Sequence, residues 1–245
     1  MQTLQVKYPR QCSAPMDSAL CKFYDPINKC FVFNDKTSLR FCTKEVANVL
    51  GIEDGGDPYK FVCSKDNKIP DFVETLKKEH SVQGTLEIKD LRLILQNMKV
   101  DDEERKVWFK KLMSYYVVDQ LLMCSSNTKI VRKNNWRVIE DLETFEKINW
   151  AKIVYDSIHE ALGDLKMKMD TPGEHAFKGA PLVFEAIMFE RISSLRPSVS
   201  QFVDPPIQKY TSQRKSKWLD LAKLGPEMVQ NQRMSFNVIF VLRIV

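Results

Sequence analysis

An all-α, multi-helix globular domain with a small N-terminal β-hairpin and an irregular basic C-terminal tail is the fold class this sequence predicts. Three observations lead there. Glycine is scarce, 8 among 245 residues, whereas sandwiches, barrels and phosphate-binding loops use it freely in their turns. Apolar residues recur three and four apart through several long segments, the period of a helix face. Helix-start residues stand just ahead of those segments. A hydrophobic share of 44% with 28% charged residues is ordinary for a globular chain and argues against bulk disorder.

The first 42 residues read as irregular and partly extended. Cys30–Phe33 and Ser38–Cys42 suit the arms of a hairpin, with Asn34, Asp35 and Lys36 as its turn. Phe31, Phe33, Leu39 and Phe41 alternate as half-buried strands do. Thr43 is the expected N-cap of a short helix whose Val46, Val49 and Leu50 share a face, and Gly51 suits the left-handed position that ends it. Ile69-Pro70 opens a second helix, Pro70–Lys78, with Phe72, Val73 and Leu76 inward. Thr85 is the expected cap of a third, Leu86–Met98. Asp101 with Glu104 forms an acidic version of the capping box and starts the longest helix, Asp102–Met123. Its buried stripe is Trp108, Leu112, Tyr115, Val118 and Leu122.

A loop near 125–135 follows, after which Trp136 and Val138–Phe145 return to the core. Asn149 caps the next helix, with Trp150, Val154, Ile158, Ala161 and Leu165 on one side. Pro172 and Gly173 mark a break. Pro181 then opens Leu182–Ser194, apolar nearly all round through Phe184 and Phe189, a composition that belongs at the centre of a domain. The structural core is therefore expected around Trp108, Leu112, Trp150, Val154, Phe184 and Phe189.

Charge divides the chain in two. After residue 204 seven basic residues (Lys209, Arg214, Lys215, Lys217, Lys223, Arg233, Arg243) face two acidic ones (Asp220, Glu227), which accounts for the whole formal excess of +5. Residues 1–204 are expected as a neutral helical domain and 205–245 as a basic, poorly ordered tail. A neutral body argues against a nucleic-acid groove across the domain. Lys209, Arg214, Lys215, Lys217 and Trp218 combine charge with an aromatic and are the candidate contacts to phosphates or to an acidic partner. The apolar finish, FNVIFVLRIV, suggests a truncated or alternative gene product.

Recognisable reaction chemistry is missing. His80, His159 and His175 lack the spacing of a metal site, and the cysteines at 12, 21, 30, 42, 63 and 124 contain no C-x2-C pair. Structural thiols are the stronger reading, since free cysteine packs as a small hydrophobe. Gly51, Gly55 and Gly56 follow a helix and precede no Lys-Ser/Thr, so they suit a helix stop and a turn better than a phosphate cradle. No catalytic, cofactor-binding or metal-binding residue is assigned and no cofactor is expected. The N-terminus lacks a signal-peptide run, and no stretch approaches the roughly 20 apolar residues of a membrane span.

Several blocks together resemble a known family. They are Cys12 with Tyr24-Asp25-Pro26, the run from Phe41 to Gly56 with its V-x-x-V-L-G and later Gly-Gly, and Asn149-Trp150 through Gly179-Ala180-Pro181-Leu182 to Phe189-Glu190-Arg191. Over roughly residues 10–205 the chain resembles the plant mobile domain, often labelled "aminotransferase-like", and the related N-terminal regions of plant transposon-encoded ubiquitin-like-protein proteases. The resemblance implies a transposon-derived plant protein that is not an enzyme. Pyridoxal chemistry needs a Schiff-base lysine and a phosphate cradle, for which this chain offers no candidate. Its expected work is protein interaction in the nucleus, with the cytoplasm as alternative. A nucleic-acid-binding accessory role through the tail is the second expectation.

Overall fold

The computed structural model describes residues 19–60, 68–123, 131, 136–171, 177–195 and 221–229. The described part is mostly helical, but it is not strictly all-α. Three short strands, β1 (Tyr24–Asp25), β2 (Cys30–Asn34) and β3 (Thr37–Leu39), form an antiparallel sheet in the order β1-β2-β3. The expected hairpin is β2–β3, paired Phe31 to Leu39 and Val32 to Ser38, with a register shift between Val32 and Asn34. Phe31, Phe33, Leu39 and Phe41 are all buried and Val32 is exposed, so the alternation holds. The added strand β1 pairs Tyr24 with Phe31. A two-residue strand carries too little periodicity to be read from sequence.

The helices are α1 (Thr43–Leu50), α2 (Asp71–Glu79), α3 (Ile88–Asn97), α4 (Glu103–Val117), α5 (Leu142–Lys147), α6 (Trp150–Lys168) and α7 (Pro181–Arg191). Three expected caps are displaced along the chain. Cys42 precedes α1, where the Glu45 carboxylate accepts the Cys42 N–H at 3.0 Å; the Thr43 hydroxyl donates instead to Asp54. Glu87 rather than Thr85 precedes α3, and its N–H donates to the Asp90 carboxylate at 3.0 Å. Asp102 rather than Asp101 caps α4, accepting from the Arg105 N–H at 2.7 Å. At α1 and α3 an acidic residue three positions into the helix takes the N-cap amide, and at α4 Asp102 stands one residue nearer the helix than the Asp101 assigned from sequence.

The longest helix does not run unbroken to Met123. After Val117 it widens into a π turn, Val118–Leu122, and the Met123 N–H bonds back to the Val118 carbonyl at 2.8 Å. Asp119 is buried in that turn and accepts from Tyr115 Oη at 3.3 Å and from Gln120 Nε2 at 2.8 Å. Trp136 stacks on Tyr115 with ring centroids 3.8 Å apart and meets Phe72 edge-on. Leu112, Trp150, Val154, Phe184 and Phe189 are buried. Trp108 is only half-buried, lying against Phe72 and beneath the Arg105 guanidinium at 4.8 Å.

The apolar helix α7 is central, as its composition predicts. It packs on α1 and on the π turn, while α1 also packs on α6. Gly56 explains how the loop after α1 reaches α6. At φ +111°, a side chain there would overlap the Lys147 carbonyl. The adjacent Asp57 forms a parallel bridge with Ile148, and its carbonyl accepts the Asn149 N–H at 2.9 Å.

Residues 221–229, within the stretch expected as an appendage, lie back on this body. Leu221, Leu224 and Val229 are buried. The short 3-10 turn Leu221–Lys223 packs on β2, and Val229 makes an antiparallel bridge with Ile192 just past α7. No helix among the described residues is long and apolar enough to cross a membrane.

Candidate functional site

Two polar groupings are buried in the core, and each joins elements distant in sequence. The first is built on α6, where Tyr155 and His159 stand four residues apart on one face. Tyr24 of β1 and Phe41, beyond β3, close around His159. The Tyr24 hydroxyl lies 2.7 Å from His159 Nδ1, Phe41 stacks on the imidazole at 4.7 Å, and Tyr155 meets it edge-on at 4.3 Å. Burial, with the Lys29 charge adding to it, lowers the His159 pKa to about 4; Lys152 also lowers it and Asp156 opposes them. Burial drives the Tyr24 phenol well above its ordinary range.

At neutral pH both groups are therefore uncharged. The Tyr24 bond engages Nδ1 and leaves the second ring nitrogen, Nε2, outside it. That atom is buried without a hydrogen-bond partner among the described residues. A phenol this hard to ionise is a poor nucleophile near neutrality, and His159 is a weak base. The pair works as a clasp between sheet and α6.

The second grouping is an ion pair between Glu45 of α1 and Arg191 of α7, both nearly fully buried. Glu45 also receives the Cys42 N–H, so one carboxylate orders the start of α1 and fastens it to the end of α7. Sequence reasoning missed this pair. Its only trace is an acidic residue in a first turn and a basic one in a last turn, a pattern that macrodipole preference alone explains.

The residues singled out from sequence are dispersed. Lys209, Arg214, Lys215, Lys217 and Trp218 lie outside the described residues, as do His175, Cys12, Cys63 and Cys124. His80 sits at the C-cap of α2. Cys21 and Cys30 are buried, Cys42 is exposed, and none of the three forms a disulfide among the described residues; the Cys21 thiol donates to the Leu162 carbonyl at 3.4 Å. Gly51, at φ +70°, ends α1 in the left-handed conformation and bonds back to Asn48. The acidic run at 101–104 starts α4. Among the described residues no group of three His, Cys, Asp or Glu side chains is placed to hold a metal ion.

The surface adds a feature that composition hides. In the turn between β1 and β2, Asp25 Oδ1 accepts the N–H groups of Ile27 at 2.9 Å and Asn28 at 3.1 Å. Its other oxygen accepts from Asn28 Nδ2 at 2.7 Å. These bonds, the Asn28 side chain first, hold the Asp25 carboxyl below its ordinary range. At the tip, Ile27 is 90% exposed.

Comparison with known families gives one match, over residues 4–184, to a family described as a domain of unknown function, DUF8566. The match covers most of the chain. This protein belongs to that family. No curated protein and no solved structure matches it. The matched region runs from the N-terminal segment through the sheet and α1–α6 into the first turn of α7.

Proposed function

We propose that this protein is a non-catalytic protein-interaction module. The observation that carries the reading is Ile27. Single exposed apolar side chains are ordinary on protein surfaces. This one stands on a turn held in place by three hydrogen bonds that one carboxylate accepts. An apolar side chain on a pre-ordered turn suits a pocket on a partner, because little backbone entropy remains to be lost on docking. Burying it there is worth about 1.5–3 kcal/mol. The core polar groups support the same reading, since Tyr24–His159 and Glu45–Arg191 serve packing rather than a reacting centre. The resemblance to the plant mobile domain supports a transposon-derived origin and action in a plant nucleus, with the cytoplasm as alternative.

The experiment is affinity purification of the tagged full chain from plant nuclei, with the Ile27→Asp variant alongside. The partner identified by mass spectrometry is then purified and titrated by calorimetry. The expected result is one stoichiometric partner that Ile27→Asp binds at least about tenfold more weakly, the loss of roughly 1.4 kcal/mol. Equal affinity for both chains removes Ile27 from the interface, and no retained partner removes the reading.

A second reading rests on the charge count. All of the formal excess of +5 follows residue 204, which supports weak, sequence-indifferent contact with nucleic acid through Lys209, Arg214, Lys215 and Lys217.

A further inference from the structure

Residues 221–229 sit on the body as a bound peptide would. The segment brings three apolar side chains to the surface it covers: Leu221, Leu224 and Val229, all buried. Between them, Lys223 and Glu227 remain exposed. Its backbone is held independently of those side chains. Asn34 Nδ2, at the end of β2, donates to the Leu224 carbonyl at 2.9 Å and to the Ala222 carbonyl at 3.3 Å. At the other end Val229 pairs with Ile192 in a β-bridge, and the Ser193 hydroxyl reaches the Met228 carbonyl at 3.5 Å.

Recognition of linear peptides uses this division of labour. Bonds to main-chain groups set register for any sequence, and pockets for a few side chains select among sequences. Gly225-Pro226 joins the two anchoring regions, with Pro226 opening the 3-10 turn Pro226–Met228. The seat therefore reads two leucines three residues apart and a β-branched residue five positions on. It reaches from β2, inside the region that matches the family, to the residues just past α7, beyond that region.

We propose that this seat is a docking groove for linear peptides of the pattern Leu-x-x-Leu-Gly-Pro-x-x-Val, which the protein's own 221–229 segment occupies in cis. The proposal rests on the interaction-module reading and names a second surface and the partner class for it, a short apolar peptide of a partner protein. The native segment shows the chemistry that fits. It also sets a threshold, because a tethered segment competes at an effective concentration on the order of 1 mM. An incoming peptide must exceed that competition, so the groove opens only to a partner that binds better than the cis segment or is present in excess.

The test uses the 245-residue chain and a fluorescein-labelled synthetic peptide of the sequence Leu221–Val229. Fluorescence anisotropy is followed for the native chain, for Leu221→Asp/Leu224→Asp, and for that double variant carrying Asn34→Asp as well. Asn34→Asp keeps the oxygen that accepts the Lys36 N–H at 3.0 Å and removes the donor to the peptide. The double variant, freed of its cis occupant, is expected to bind the peptide at least about tenfold more tightly than the native chain. Adding Asn34→Asp is expected to reverse most of that gain, and a peptide with both leucines replaced by aspartate is expected not to bind. No binding by a natively folded double variant at about 1 mM peptide overturns the proposal.

If the double variant does not fold, the native chain decides. Excess peptide should then accelerate hydrogen exchange at 221–229 while leaving α6 unchanged, and unaltered exchange overturns the proposal. Failure in both arms removes the groove alone. The Ile27 experiment scores capture by a different face and keeps its own outcome.

Discussion

At the level of single residues, His159 is the most informative position. Its place within the amphipathic helix that Asn149 caps was legible, but the Tyr24 bond and the Phe41 stack bring together residues far apart in the chain, which periodicity does not reveal. The lowered pKa of about 4 fixes a sign. The folded state holds His159 neutral while the unfolded chain takes up a proton near pH 6.5, so the stability from this site is present above 6.5 and is lost as pH falls towards 4. The effect reaches at most about 3 kcal/mol. Urea midpoints measured from pH 7.5 to 4 should fall over that window, and His159→Phe, which keeps the stack on Phe41, should flatten the fall. Equal slopes for both chains would mean that His159 takes up its proton alike in the folded and unfolded chains.

Phe184 tests the core directly. It is fully buried between Phe31 and Phe177, and Phe184→Ala should cost about 3–5 kcal/mol. Chemical denaturation reads this, and an unchanged midpoint would place Phe184 at the surface.

Among the elements, the strongly apolar helices were read best, because α4 and α6 carry repeats long enough to define a face and α7 is apolar nearly all round. N-cap positions were read worst, by one or two residues, since neighbouring acidic residues compete for the same amide groups. The Asn149 cap of α6 is the exception: its side chain accepts the Lys152 N–H at 2.8 Å, as expected from the residue type. Asn149→Ala should lower stability by about 1 kcal/mol, measured as a shift in the urea midpoint. The π turn after α4 was not legible. Its sequence, VDQLL, continues the apolar repeat, and only the buried Asp119 departs from it.

The α1–α7 junction gives a sharper prediction. Removing one partner of a buried ion pair leaves the other uncompensated, so Arg191→Met should destabilise by about 3–5 kcal/mol. Glu45→Leu added to it should recover much of that loss, because an apolar pair of similar volume avoids the desolvation cost. A double-mutant cycle on thermal or urea unfolding measures the coupling. Additive losses would show that Glu45 and Arg191 act separately.

For the whole molecule, the mostly helical build was legible from scarce glycine and helical periodicity, whereas the third strand and the way 221–229 returns to the body were not. Leu221, Leu224 and Val229 are spaced for no regular element, and their burial depends on Asn34 and Ile192, which are remote in sequence. Charge counting assigned the whole stretch after 204 to a basic tail, yet this part of it packs through apolar groups. The surface features behind the functional reading were equally hidden, because exposure of Ile27 depends on the turn geometry set by Asp25.

Recognition of protein by a neutral helical body, rather than of nucleic acid by charge, is the central claim. It is tested most directly by a salt titration of fluorescent duplex and single-stranded nucleic acid. The full chain is compared with one carrying Lys209→Gln, Arg214→Gln, Lys215→Gln and Lys217→Gln, which leaves 221–229 in place. The expected result is weak binding that falls with salt at a log–log slope of about −4, the release of counterions from four or five phosphate contacts, and that disappears in the neutralised chain. Tight binding at physiological salt that survives neutralisation would place a nucleic-acid site in the body and contradict the claim.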